Sequence, residues 1–235
     1  KFKEVSKGYN FKPFNSVRPP STGVIIKHDK GECVKAFFPL SFTFETNEPA
    51  QCKIDYVLKD DYEKMNFFVN GSNLFIYNHT EKLSLPGPEA LNLENPELKN
   101  NGEYTLFVRC QDANGNFNQD AYSINFCVEK GPDTTPPIIS EVNIPSGNPV
   151  RFNQSIFDLE VYVNEPSECK WSRTDQNYDN MENKMNCDTK IFQMNNKNLY
   201  TCRATLTGIQ DRKNNDYYFR CKDQPQEKEA DRNVN

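Results

Sequence analysis

Polar and apolar residues alternate with a period of two at 40–44 (LSFTF) and 157–163 (FDLEVYV), the pattern of strands with one buried face. Segments 52–58, 73–77, 82–85 and 104–110 read as further strands, with turn signals at Asn101-Gly102 and Asn114-Gly115. No segment holds a sustained helical period, although 175–185 has room for a short helical turn. About seven short strands fall in each half of the chain, which predicts an all-β protein built of antiparallel β-sandwiches.

The two halves are one unit written twice. NEPAQCK at 47–53 returns as NEPSECK at 164–170, an offset of 117, and the same offset carries Pro19-Pro20 onto Pro136-Pro137. FVRCQD at 107–112 returns as YFRCKD at 218–223, an offset of 111, because the loops before it differ in length. A period this long is domain-sized. Two domains are therefore expected, at 19–131 and 132–235.

The repeat is cut unevenly. In the first copy a turn, a last strand at 120–128 and a stiff linker follow Cys110. The second copy runs only to 232–235, level with the first copy's turn at 115–118, so its last strand is missing from this chain. Residues 1–18 sit where the last strand of a preceding copy would sit. Two explanations stay open: a slice of a longer tandem-repeat polypeptide, or a subunit whose N-terminal segment completes domain 2 of a neighbouring copy by strand addition. In the second, Val5, Tyr9 and Phe11 are the candidate donor-strand residues. Either arrangement is head-to-tail and generates a fibre. A trimmed terminus is the plain alternative.

Composition narrows the partners. The 235 residues carry a net charge of −5 and no basic run, which argues against nucleic acid. No run of about 18 apolar residues is present, so no segment of this chain reads as a membrane-spanning helix. Eight cysteines in a β-rich chain argue for disulfides and an oxidising, extracellular or cell-surface setting. The repeat narrows their pairing. Cys52 and Cys110 correspond to Cys169 and Cys221, leaving Cys33 with Cys127 in copy 1 and Cys187 with Cys202 in copy 2. Zinc competes for the same residues, but there is no C-x-x-C and the histidines are two, His28 and His79. Sequons at Asn70, Asn78 and Asn153 make N-linked glycans expected partners.

DANGN at 112–116 and DTTPP at 133–137, in that order around a last strand, resemble the tandem Ig-like/fibronectin-III-like repeats of bacterial and archaeal cell-surface proteins. The resemblance implies two tandem Ig-like β-sandwiches, the second lacking its last strand within this chain. Copy 2 departs from it, with QPQEK at 224–228 in place of the glycine turn. Members of such families serve as stalks, adhesin segments, S-layer components and fibres. Their topology would also bring Glu48, Asp112, Asn114 and Asn116 near the linker, a candidate structural calcium site with hard oxygen ligands. A hairpin turn explains the same residues without metal.

Catalysis has little to build on. Neither histidine is duplicated, every cysteine is assigned to a bridge, and no glycine-rich phosphate loop is present. The expectation is not an enzyme and no cofactor beyond structural calcium. The leading expectation is a structural subunit or repeat unit of an extracellular filament whose partners are other copies of itself. The rival is a glycan- or protein-binding adhesin or stalk module, reading ligands through long loops at 86–101 and 174–198. An accessory domain of a surface hydrolase is a third class.

Overall fold

The structure is a computed structural model describing residues 1–17, 20–85, 102–129, 133–190, 193–195, 197, 199–223 and 232–235. The 86–101 loop, the 224–228 turn, Pro19 and parts of 174–198 lie outside the described residues. The chain divides into two compact units, Lys1–Asp133 and Thr134–Asn235. Both are all-β. Unit 1 holds β1 (Phe2–Val5), β2 (Tyr9–Val17), β3 (Pro20–His28), β4 (Leu40–Asp55), β5 (Phe67–Phe68), β6 (Ile76–Leu83), β7 (Glu103–Asp112) and β8 (Tyr122–Cys127). Unit 2 holds β9 (Ile139–Val142), β10 (Ile156–Val163), β11 (Ser167–Ser172), β12 (Asn183–Lys184), β13 (Asn186–Cys187), β14 (Tyr200–Thr207) and β15 (Tyr218–Asp223). No helix among the described residues is long and apolar enough to cross a membrane.

In unit 1 the long strand β4 serves two ladders. Its first half pairs with β6, from Leu40↔Leu83 to Glu45↔Asn78, and points Leu40, Phe42 and Phe44 into the core. Its second half pairs with β7, from Ala50↔Asp112 to Asp55↔Phe107. The switch falls at exposed Asn47, Glu48 and Pro49, where the apolar alternation stops and Pro49 has no N–H to give. The sheet then continues β7-β8-β3-β2.

One pairing corrects the antiparallel expectation: β3 runs parallel to β8, from Thr22↔Tyr122 to Ile25↔Asn125. Gly23 permits the approach, since a Cβ there would fall 2.1 Å from the carbonyl oxygen of Ser123 and 2.8 Å from the Phe14 ring. The two strands expected at 73–77 and 82–85 are one, Ile76–Leu83. The preceding Asn73, Leu74 and Phe75 are exposed, and the Asn73 carbonyl accepts the Gln51 side-chain amide rather than a ladder bond.

The N-terminal segment is not an orphan. β1 pairs with β4 through Phe2↔Phe44 and Val5↔Phe42, and β2 forms a hairpin with β3. Phe2 is buried against Phe42 and Phe11. A turn separates the two strands: the Tyr9 N–H donates to Ser6 O at 3.0 Å, with Gly8 at φ 89°. Within this unit Val5 therefore lies on a different strand from Tyr9 and Phe11.

Unit 2 has two sheets, β13-β14-β10-β9 and β12-β11-β15. Leu159, Val161, Val163, Trp171, Tyr200 and Leu206 close its core around Cys169, Cys202 and Cys221. A three-residue 3₁₀ turn, Tyr178–Asn180, occupies part of 175–185.

Four bridges use all eight cysteines: Cys33–Cys127, Cys52–Cys110, Cys169–Cys221 and Cys187–Cys202. Three of them staple residues that face each other on neighbouring strands, β4 to β7, β11 to β15 and β13 to β14. On the chain-entropy view, closing a loop such as that between Cys52 and Cys110 contributes about 4 kcal/mol. Four such bridges point to an oxidising environment.

Candidate functional site: an open strand edge

The same polar frame holds β7 in unit 1 and β15 in unit 2. Arg109 donates from Nε to Lys59 O at 2.9 Å and from Nη1 to Asn118 O at 2.6 Å. Arg220 does the same 111 residues later, from Nε to Gln176 O at 2.8 Å and from Nη1 to Asn235 O at 3.1 Å. Lys53 Nζ sits 4.4 Å from the centroid of the Tyr62 ring, and Lys170 Nζ 4.5 Å from that of Tyr178. Long side chains thus bury their stems while their charged heads find a carbonyl or an aromatic face.

What covers the far edge of this strand differs. In unit 1 the second edge of β7 is paired by β8, from Glu103↔Cys127 to Val108↔Tyr122. Val24 and Ile26 of β3 and Ile124 and Phe126 of β8 are all buried there. In unit 2, among the described residues, β15 pairs with β11 and makes only the isolated Lys222↔Val234 bridge on its other side. Beside it lies a groove of about 850 Å³, lined by the polar run 210–216 together with apolar residues that include Val142, Ile144, Phe157, Leu159, Leu206 and Phe219. Of these, Leu159 and Leu206 are buried and the other four are only half-buried. On that side the Asp223 N–H donates to Asn233 O, the Asn235 N–H donates to Cys221 O and Asn235 Oδ1 accepts the Cys221 N–H. That leaves Tyr218–Arg220 as the stretch of β15 that no second strand pairs among the described residues, a template for an added strand beside the groove.

The expected calcium ligands have another use. Asp112 Oδ1 accepts the N–H groups of Asn114 and Asn116, both at 2.8 Å, and its Oδ2 accepts the Asn116 side-chain amide at 2.9 Å. These hydrogen bonds hold the Asp112 carboxyl below the usual carboxylate range. Glu48 is exposed. With Asp112 and Asn116 it lines a cavity of about 510 Å³, but the primary role of Asp112 is to close a hairpin turn.

The counterparts in unit 2, Glu165 and Asp223, are both fully buried, with carboxylate oxygens within 4.8 Å of each other. Asp223 closes its own turn, accepting the N–H of Asn233 at 2.6 Å and the Asn233 side-chain amide at 2.8 Å. The repeat aligned these residues, but their burial is not visible in sequence.

All three sequon asparagines, Asn70, Asn78 and Asn153, are exposed. Asn70 and Asn153 sit in the left-handed region at turns, with φ 52° and 62°, and Asn78 lies on β6. Val5, Tyr9 and Phe11 are half-buried within unit 1. His79 is buried and stacked on Phe44, its Nε2 lying 3.4 Å from Cys52 Sγ; burial lowers its pKa. His28 lies apart, edge-on to Tyr9.

No family model matches the chain, and no curated protein sequence matches it.

Proposed function

We propose that this chain is a structural element of an extracellular filament or surface fibre, two Ig-like units that join further copies head-to-tail by strand addition. The stretch Tyr218–Arg220 of β15, which no second strand pairs among the described residues, carries the reading together with the groove beside it. The occupant we assign is the N-terminal segment of a second copy. At the 117-residue offset, residues 1–17 correspond to 118–134, the stretch that contains β8. Within unit 1, β8 sets Tyr122 opposite Val108; carried over, that register sets Val5 opposite Phe219.

The donated segment would exchange its ladders with β4 and β3 for one with β15, a strand swap between copies. Two features support an Ig-like frame: β4 pairs with both β6 and β7, while β10 pairs with β14 and β11 with β15. These are the neighbour relations of B with E and C with F in such sandwiches. The four bridges and exposed sequons suit a glycosylated extracellular protein.

The test is light scattering and negative-stain microscopy on the purified chain, with and without excess synthetic peptide of residues 1–17. The expected result is threads that lengthen with concentration and are capped by the peptide. A chain that stays monomeric and ignores the peptide overturns the reading, as do assemblies the peptide does not affect. The denaturing, reduced and deglycosylated mass of native material separates two routes to the same strand. A mass near 27.2 kDa means donation between subunits, and a multiple of it means covalent continuation.

A further inference from the structure

Two disulfides touch in the core of unit 2. Sγ of Cys202, bridged to Cys187, lies 3.3 Å from Sγ of Cys169, bridged to Cys221. Register explains the contact. In unit 1 the β6 residue facing Phe44 is His79; in unit 2 the β14 residue facing Val161, the counterpart of Phe44, is Cys202. His79 places its Nε2 3.4 Å from Cys52 Sγ, and Cys202 places a sulfur at the same point against the counterpart bridge. An imidazole cannot enter disulfide exchange as a sulfur nucleophile. A cysteine can.

Access to the pair is one-sided. Cys202, Cys169 and Cys221 are at most 2% exposed, whereas Cys187 is half-buried on β13, the edge strand of its sheet. An external thiolate reaches Cys187 first, and the leaving group is then Cys202, released beside Cys169. A thiolate freed among apolar side chains is poorly solvated, which favours its attack on the sulfur it already contacts.

We propose that unit 2 carries an intramolecular thiol–disulfide relay in which opening Cys187–Cys202 passes the bridge to Cys169–Cys202 and frees Cys221. A dithiol reductant attacks Cys187 Sγ and forms a mixed disulfide, and the Cys187–Cys202 bond breaks with its electron pair on Cys202. The Cys202 thiolate attacks Cys169 Sγ, forming Cys169–Cys202 and expelling the Cys221 thiolate, which takes a proton from water. The second thiol of the reductant then displaces Cys187 as a thiol. The protein ends with one bridge in place of two, and the dithiol is oxidised by two electrons. The new bridge joins β11 to β14, replacing the staples that held β15 to β11 and β13 to β14. Strand β15, the edge strand of its sheet, loses its covalent tie. The relay rests on sulfur geometry alone and stands whether or not that edge accepts a strand.

The experiment is limited reduction of the intact chain by a substoichiometric dithiol at neutral pH, acid-quenched alkylation and peptide mapping, with circular dichroism confirming that the fold persists. Alkylation at Cys187 and Cys221 together with a Cys169–Cys202 cross-linked peptide is the expected result. Alkylation at Cys187 and Cys202 with Cys169–Cys221 intact overturns the proposal, as does first opening of any other bridge without a Cys169–Cys202 peptide. Cys187→Ser supplies the second arm, because it leaves Cys202 as a thiol with no reductant present. Label is then expected to be lost from Cys202 and gained at Cys221 as pH rises from 6 to 9. Label confined to Cys202 throughout overturns the relay. Should that variant not fold, the wild-type map decides.

Discussion

The Oδ1 of Asn235 accepts the backbone N–H of Cys221 at 2.7 Å, the distance at which Asn118 accepts that of Cys110. The cysteines are 111 residues apart and the asparagines 117, so the same bond is made across a longer stretch of chain in unit 2. A bridged cysteine at a strand edge has an N–H that needs an acceptor, and each unit supplies one from the side chain of the strand's own return. Asn118→Ala should destabilise unit 1 by about 1–3 kcal/mol, the cost of leaving a part-buried donor unmet. Asn235→Ala should do the same to unit 2. Calorimetry should show each variant lowering one transition and leaving the other in place.

Arg109 ties three loop carbonyls, those of Lys59, Asn118 and Gln119, to a strand in which it is itself buried. The planar fork makes this possible, and a single ammonium cannot span the same acceptors. Arg109→Lys should therefore destabilise unit 1 nearly as much as Arg109→Met, by about 3 kcal/mol each. Denaturant midpoints for the two variants check this. A lysine variant close to wild type would show that charge, and not the fork, is what matters.

The two strands with the clearest alternation, 40–44 and 157–163, fall inside β4 and β10, because a strand with one buried face must alternate. The cysteine pairing was legible for a different reason: the repeat duplicates one pair and leaves each copy with one remaining pair. The parallel β3–β8 ladder was not legible, since parallel and antiparallel partners make the same demand on side-chain pattern. Nor was the break at Ser6–Tyr9, where Gly8 turns the chain but the flanking residues still look extended. The match of His79 to Cys202 was hidden too. Residue type and sequence offset both differ, and only the shared partner position on β4 and β10 reveals it.

Gly23 on β3 faces Ser123 on β8, with the Phe14 ring against it. A methyl group there would collide with the Ser123 carbonyl oxygen, which is backbone and cannot rotate away. Gly23→Ala should therefore push the β2–β3 hairpin off β8. Hydrogen exchange should show the amides of β8 and β3 losing protection while those of β6 keep theirs. An alanine variant with unchanged protection in β3 and β8 would contradict the parallel ladder itself.

His79 makes unit 1 sensitive to mild acid. Burial against Phe44 and the Cys52–Cys110 bridge disfavours the imidazolium, so the folded pKa lies below the usual value of about 6.5. Below that value the unfolded chain binds a proton that the folded chain refuses until the pH is lower still. Stability is thus fully present above about 6.5 and is lost as pH falls from there towards the folded value. Unit 2 has Cys202 at the corresponding place, so no imidazole titrates there. Thermal unfolding between pH 7 and 5 should show the unit 1 transition falling in wild type, and falling less in His79→Phe, which keeps an aromatic partner for Phe44. The carboxylates are the same in the two proteins, so their contribution cancels in the comparison. Equal slopes for the two proteins would mean that His79 is protonated as readily in the fold as in the unfolded chain.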